Sequence, residues 1–159
     1  MPRASASRLA VLGSPINHSL SPAIHRAAYE KLGLAWTYVA AEVESGGLST
    51  WMNSLDDEWR GLSLTMPLKR EILPQLAARH PLVDVVGAAN TVLMTQNGLA
   101  GFNTDVFGIV AALRAAGVIR VGSAHIFGAG ATAASALAAL NQLGARVVTV
   151  EARTVENGL

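Results

Sequence analysis

The chain has 159 residues, about the length of one domain, and 51% of them are apolar, so it can bury a core and is not intrinsically disordered. Its net charge of +1, without any run of like charge, excludes a nucleic-acid footprint and a basic membrane anchor. The lack of cysteine excludes a disulfide framework, a cysteine nucleophile and a thiolate metal site, and no metal is predicted. The first apolar stretch, Leu9 to Leu12, is too short for the core of a signal peptide, which predicts a cytoplasmic protein.

Apolar periodicity and turn residues predict strands that alternate with helices. The first predicted elements are strand 9–12, helix 21–32, strand 36–43, helix 48–55, strand 61–65, a helix from Pro67 to about Ala78, and the hairpin 90–95 and 99–102. A helix from Thr104 or Asp105 to about Ala116 follows, and then strand 124–127, helix 131–143 and strand 146–151. This order favours an α/β fold with mostly parallel sheets. For the second part this order predicts an incomplete doubly wound nucleotide-binding domain, because two strands are present where about six are usual.

A glycine-rich turn lies between the predicted strand and helix of this second part. Gly128 to Ala133 fits the pattern G-x-G-x-x-A, which allows a backbone to approach a pyrophosphate closely, although chance or helix packing can give the same pattern. Glu151 ends the next strand, where a carboxylate can hold a ribose, whereas Arg153 and Thr154 can hold a 2′-phosphate. These residues leave NAD and NADP both open.

Three further segments carry polar side chains next to predicted strand or helix ends. Ser19 and Ser21, after His18, can donate to a carboxylate near a helix N-terminus, although Ser21 as a simple helix cap is favoured by spacing alone. Lys69 falls in the first turn of a helix, an unusual place for a cation, although a solvated lysine is the common outcome. Amides, hydroxyls and a carboxylate flank the hairpin at Asn90-Thr91 and Asn103-Thr104-Asp105, where Thr104 or Asp105 can also be a plain cap.

Taken in order, these motifs resemble the shikimate dehydrogenase family. The matching stretches are Leu12-Gly13-Ser14-Pro15-Ile16-Asn17-His18-Ser19-Leu20-Ser21-Pro22, Leu64-Thr65-Met66-Pro67-Leu68-Lys69, Gly87-Ala88-Ala89-Asn90-Thr91, Gly101-Phe102-Asn103-Thr104-Asp105 and Gly128-Ala129-Gly130. The resemblance implies a substrate-binding α/β domain over residues 1–103 and a partial NADP-binding Rossmann domain over residues 104–159. It also implies the reversible NADP-dependent reduction of 3-dehydroshikimate to shikimate, a step towards chorismate and the aromatic amino acids, by a monomer or homodimer.

The resemblance assigns roles to particular residues. The positions that match the family's substrate ligands are Ser19, Ser21, Thr65, Lys69, Asn90 and Asp105. The positions that match its cofactor-binding segments are Gly128, Ala129, Gly130, Ala131, Arg153 and Thr154. Lys69 and Asp105 match the family's catalytic pair.

The chain also departs from the family pattern. Ser63 stands where the family usually has asparagine, Ala152 replaces the asparagine before the matched Arg-Thr, and Asn157 falls where a second phosphate-binding arginine is common. The family's later Rossmann strands and its C-terminal substrate-binding segment have no counterpart, which predicts a fragment. Two alternatives therefore stay open: an NAD-using quinate/shikimate dehydrogenase, and a non-catalytic module that binds a shikimate-type ligand. An unrelated nucleotide-binding α/β protein is a third.

Overall fold

A computed structural model describes residues 7–153. The chain forms two compact units that interleave along the sequence. The first unit runs to His80 and resumes from Ala89 to Phe102, and the second comprises Pro81–Ala88 and the chain from Asn103 onward. Segment 81–88 therefore belongs to the second structural unit, although it lies within the stretch that the sequence assigns to the substrate domain. That domain assignment stays a prediction.

The first unit is a mixed six-stranded sheet with short helices. Its elements are β1 (Ser7–Gly13), α1 (Ser21–Leu32), β2 (Trp36–Glu42), α2 (Leu48–Met52), β3 (Trp59–Leu64), α3 (Leu68–Glu71), β4 (Leu76–Arg79), β5 (Thr91–Thr95) and β6 (Gly98–Phe102). The strand order is β2-β1-β3-β5-β6-β4. β1 is parallel to β2 and β3, and β4 is parallel to β6, whereas β5 is antiparallel to both neighbours. The predicted α/β class with a mostly parallel sheet is confirmed.

Local signals explain why α1 and the hairpin form where the sequence predicts them. Pro22 occupies the first turn of α1, where its missing N–H costs no hydrogen bond, and Gly33 ends the helix in the left-handed region at φ 65°. Tyr29 of this helix is buried in a cluster with Val11 of β1. Gly98, at φ 101°, closes the turn of the β5–β6 hairpin. Both predictions are confirmed.

The predicted helix from Pro67 to about Ala78 is wrong. The α-helix ends at Glu71, a 3₁₀ turn covers Leu73–Gln75, and Leu76 begins β4. Pro74 cannot donate to a helical ladder, and the residues after it pair with β6 from Leu76 to Arg79. Pairing with a strand that is distant in sequence has therefore overridden the local helical pattern.

In its described residues, 81–88 and 103–153, the second unit has three helices and a two-stranded parallel sheet. Its elements are α4 (Pro81–Val86), α5 (Asp105–Ala115), β7 (Ser123–Phe127), α6 (Ala131–Gln142) and β8 (Val147–Glu151). The sequence predicts all of them except α4. This helix has only six residues, which is too short for its apolar residues to show a helical period. Its core is a cluster of buried apolar side chains formed by Val86, Ala88, Val106, Val110, Ala139 and Leu143.

Two absences hold for residues 7–153. None of the helices there has the length and apolar character needed to cross a membrane. Within the same residues, no group of three or more His, Asp or Glu side chains is arranged to hold a metal ion.

Candidate active site

The loops after β1 and β3 are joined at one edge of the first unit's sheet. The two strands are parallel and pair up to Leu12 and Leu64, so their carboxyl ends lie side by side. Beyond them, the Thr65 N–H donates to the Leu12 carbonyl at 2.9 Å and the Ser14 N–H donates to the Met66 carbonyl at 2.9 Å. Thr65 and the loop that leads to Ser19 are therefore held at the same edge.

Asn90 lies at this edge because β5 runs antiparallel to β3. The Leu64 N–H donates to the Asn90 carbonyl at 2.8 Å, and the Asn90 N–H donates to the Phe102 carbonyl at 3.0 Å. The Asn90 side-chain oxygen accepts from the Thr91 hydroxyl at 3.0 Å. Main-chain bonds to two strands therefore fix Asn90 next to the strand end that precedes Thr65.

Lys69 lies in the one-turn helix α3, in its first turn as predicted. The helix is anchored on both sides, because the buried Leu68 donates its N–H to the Thr65 carbonyl and the Lys69 carbonyl accepts from the Ala89 N–H, each at 2.8 Å. The Glu71 carboxylate accepts two N–H groups at the start of α2, at 3.0 and 3.1 Å. The sequence does not identify Glu71 as a functional residue, because its partners lie 25 and 23 positions away.

Ser21 is not the cap of α1, so that interpretation is wrong. Leu20 occupies the cap position without a side-chain cap bond, and Ser21 is the first helical residue. The Ser21 N–H donates to the Ser19 hydroxyl oxygen at 3.3 Å, while the Ser21 side chain lies near enough to the Tyr38 hydroxyl to lower the pKa of that phenol. Both serines are half-buried, whereas His18 is exposed.

Tyr38 is the centre of a buried cluster that the sequence does not reveal. Its hydroxyl donates to Ser63 Oγ at 2.6 Å, and its ring stacks on the His25 ring with centroids 3.9 Å apart. Burial raises the pKa of Tyr38 above its usual value near 10, and the neighbouring hydroxyl groups of Ser63 and Ser21 lower the pKa in part. The phenol is therefore neutral at physiological pH. The residues concerned lie on separate elements, so no local motif links them.

Asp105 is the first residue of α5 in the second unit and is half-buried. Thr104 occupies the cap position, but its side chain makes no cap bond. The Val106 N–H is instead bonded by the side-chain oxygen of Asn103 at 3.3 Å. Thr104 is therefore at the cap position, as one of the two predicted alternatives has it, but the preceding asparagine makes the side-chain bond to the helix start.

The Gly128–Ala131 turn has the features that a pyrophosphate needs. Gly128 has φ 108°, a conformation that favours glycine, and its N–H donates to the Glu151 carbonyl at 2.8 Å. Gly130 caps α6, whose first turn has neither an acidic side chain nor a side-chain cap bond. A Cβ at Gly128 or Gly130 would meet no neighbouring atom within 4 Å. The N–H groups at this helix start therefore suit an anion, and the residues fit the phosphates of a dinucleotide.

The residues predicted to select the cofactor lie at the end of β8 and beyond it. Arg153 is exposed, and the Glu151 carboxylate lies 3.4 Å from His125 Nε2. Thr154 and Asn157, the other residues concerned, lie outside the described residues.

Comparison with known proteins finds shikimate dehydrogenases among the relatives of this chain. The shikimate dehydrogenase substrate-binding domain family matches residues 11–92. The shikimate dehydrogenase (NADP(+)) of Thermus thermophilus is 41% identical over 140 residues, which are 88% of this chain and 53% of the relative. That of Citrifermentans bemidjiense is 40% identical over 151 residues, 93% of this chain and 52% of the relative. The chain thus spans about half the length of these relatives.

Solved structures of this kind share the fold. The crystal structure of the Thermus thermophilus shikimate 5-dehydrogenase in complex with NADP(H) and shikimate aligns with a TM-score of 0.86 and 38% identity, over 96% of this chain and 58% of that one. The crystal structure of Mycobacterium tuberculosis shikimate dehydrogenase aligns with a TM-score of 0.84 and 39% identity, over 95% of this chain and 56% of that one.

Proposed function

Because the chain belongs to the shikimate dehydrogenase family, we propose that it provides the substrate-binding domain and the first part of the NADP-binding domain of a shikimate dehydrogenase. The reaction is the reversible reduction of 3-dehydroshikimate to shikimate, on the route to chorismate and the aromatic amino acids. NADP is the cofactor named for the relatives. A cytoplasmic location and a monomeric or homodimeric state remain predictions from the sequence.

The observation that carries this proposal is the convergence of two separated segments at one sheet edge. Thr65 and Lys69 follow β3 and Asn90 precedes β5, and main-chain bonds of 2.8–3.0 Å fix each of them there. A small polyhydroxylated ring needs several such donors and acceptors within a small volume. Their arrangement supports a polar ligand rather than an apolar one.

Substrate binding is assigned to hydroxyl and amide side chains together with one carboxylate and one ammonium group. Ser19 and Ser21 donate to the carboxylate of the substrate, close to the N-terminus of α1, whose dipole also favours an anion. Thr65, Asn90 and Asp105 bind the ring hydroxyls. Lys69 lies on the one-turn helix α3, whose backbone is hydrogen-bonded to Thr65 on one side and to Ala89 on the other. These bonds limit how far the Lys69 backbone must move to reach a reactive geometry.

Proton transfer is assigned to Lys69 and Asp105. NADPH, when bound, supplies the hydride that adds to the ring carbonyl carbon. Negative charge then develops on the carbonyl oxygen, and Lys69 donates a proton to it. Asp105 orients the ammonium group and shares the proton. A positioned acid of this sort accelerates a reaction about 10²–10⁴-fold.

The cofactor's phosphates are assigned to the turn at the start of α6. The N–H groups of Ala129, Gly130 and Ala131 would hold the pyrophosphate, with Gly128 shaping the turn, and Arg153 would hold the 2′-phosphate together with Thr154. Glu151 is the residue that favours NAD instead, since a carboxylate near that position repels a 2′-phosphate.

Turnover and binding together test the proposal against its alternatives. The protein that carries this chain is assayed for loss of NADPH absorbance with 3-dehydroshikimate, in parallel with NADH, and its affinity for shikimate is measured by calorimetry. We expect turnover with NADPH and its loss in Lys69→Met, with shikimate affinity changed less than about threefold.

Each alternative gives its own result in these assays. Faster turnover with NADH and quinate supports the NAD-using relative. Shikimate binding without turnover supports the binding module. No binding of any shikimate-type ligand rejects the family-based function. Arg70→Met, which alters the exposed neighbour of Lys69 on the same helix, is the matched control and should keep parental turnover.

A further inference from the structure

Asn103 places a fully bonded amide inside the second unit. Only 5% of the residue is exposed, and its Nδ2 donates to the Ala88 carbonyl at 3.0 Å and to Ser135 Oγ at 3.2 Å. Its Oδ1 accepts from the Val106 N–H at 3.3 Å. The orientation of the amide is fixed, because exchanging oxygen and nitrogen would set a donor against the Val106 N–H and an acceptor against the Ala88 carbonyl.

Ser135 extends this network into helix α6. It has no exposed surface, and its hydroxyl oxygen accepts from Asn103, so its own proton is directed to the Ala131 carbonyl at 3.2 Å. Ala131 is the first residue of α6 and follows directly on the Gly128–Gly130 turn. The bonds therefore run without a break from the start of α5, where Asp105 lies, to the first turn of the helix proposed to hold the cofactor phosphates.

We propose that Asn103 is a positioning residue that, through Ser135, holds Asp105 in register with the cofactor turn. The assignment rests on the proposed function for its catalytic consequence, but its structural part does not. The resemblance to the family assigns no role to Asn103, whereas the hydrogen bonds of Asn103 indicate a positioning role. Its side chain bonds to Val106, the residue after Asp105, to Ala88, two residues before Asn90, and to Ser135 of α6, the helix that follows the glycine turn. A buried donor that loses its partner is costly, so the network resists displacement of any one of its members.

Ser135→Ala tests the structural part in the chain itself. The substitution removes the acceptor for one Asn103 proton, and alanine is well suited to a helix, so the variant should fold. We expect amide hydrogen exchange at Val106 to be at least about tenfold faster than in the parent, because the start of α5 opens more often. Ser7→Ala is the matched control, since Ser7 is also buried, at 2% exposure, but accepts a bond from Arg60 in the first unit. Equal exchange at Val106 in both variants would overturn the proposal.

Steady-state kinetics test the catalytic part in the protein that carries this chain. A small displacement of Asp105 should lower kcat about 5- to 20-fold in Ser135→Ala, with the KM for 3-dehydroshikimate changed less than twofold. A merely structural role would lower thermal stability in Ser135→Ala and Ser7→Ala alike and leave both kcat values near the parent, which would overturn the assignment. A parent without turnover would refute the proposed function instead, and the exchange rates at Val106 would still decide whether Asn103 holds the start of α5.

Discussion

Gly13 is the last residue of β1 and lies against the loop that contains Thr65. A Cβ at this position would lie 2.3 Å from Thr65 Cγ2 and 2.7 Å from the Met66 carbonyl oxygen. The side chain can rotate away, but the carbonyl belongs to the backbone that the Ser14 N–H bonds at 2.9 Å. Gly13→Ala must therefore push the loops after β1 and β3 apart, and with them the proposed substrate ligands.

The expected cost combines strain with lost hydrogen bonding. Overpacking of this kind destabilises by about 1–3 kcal/mol, and each weakened main-chain bond adds about 0.5–1.5 kcal/mol. We therefore expect a loss of about 2–4 kcal/mol in the free energy of unfolding, measured by urea denaturation, and weaker shikimate binding by calorimetry.

The same substitution at another glycine provides the control. Gly108 lies in α5, and a Cβ there would meet nothing within 4 Å. Gly108→Ala should therefore stabilise the protein by about 0.5–1 kcal/mol, because glycine is unfavourable inside a helix. A Gly13→Ala variant within about 0.5 kcal/mol of the parent, the range of a neutral surface change, would show that the two loops are free to separate and would refute the reasoning.

Three further variants test individual contacts. Glu71→Ala removes the acceptor for two N–H groups at the start of α2; it should cost about 1–2 kcal/mol in urea denaturation and lower kcat by loosening α3, whereas an unchanged kcat would separate Glu71 from catalysis. Ser21→Ala should cost about 1.5–3 kcal/mol in substrate binding, seen as a raised KM with kcat nearly unchanged. Lower thermal stability with an unchanged KM would limit Ser21 to a structural role beside Tyr38. Burial raises the pKa values of Tyr38 and Tyr29 above 10, so the fold favours the neutral phenols, and their contribution to stability is complete below pH 10 and lost as the pH rises above it. The slope of unfolding free energy against pH above 10 should be shallower in Tyr38→Phe than in the parent, and equal slopes would contradict that shift.

The sequence predicts those elements whose signals are local. The start of α1 at Ser21-Pro22, its end at Gly33 and the turn before Gly98 each depend on one or two residues with restricted or permissive backbone conformations. The predicted helix beyond Glu71 fails for the opposite reason. Residues 76–79 find a strand partner in β6, more than 20 positions further along the chain, and no local pattern contains that partner.

The candidate site divides along the same line. Residues proposed to touch the ligand stand in compact motifs, because a loop that leaves a strand end offers neighbouring side chains to one small volume. Residues that hold those loops in place do not need a motif. Glu71 reaches main-chain N–H groups 23 and 25 positions away, and Asn103 reaches Ser135 across 32 positions. Every residue except proline has a main-chain N–H, so the sequence does not indicate which residues donate to Glu71. Asn103 lies inside a recognisable motif and still could not be separated from its neighbours by spacing, because what distinguishes it is burial with every amide hydrogen bond satisfied.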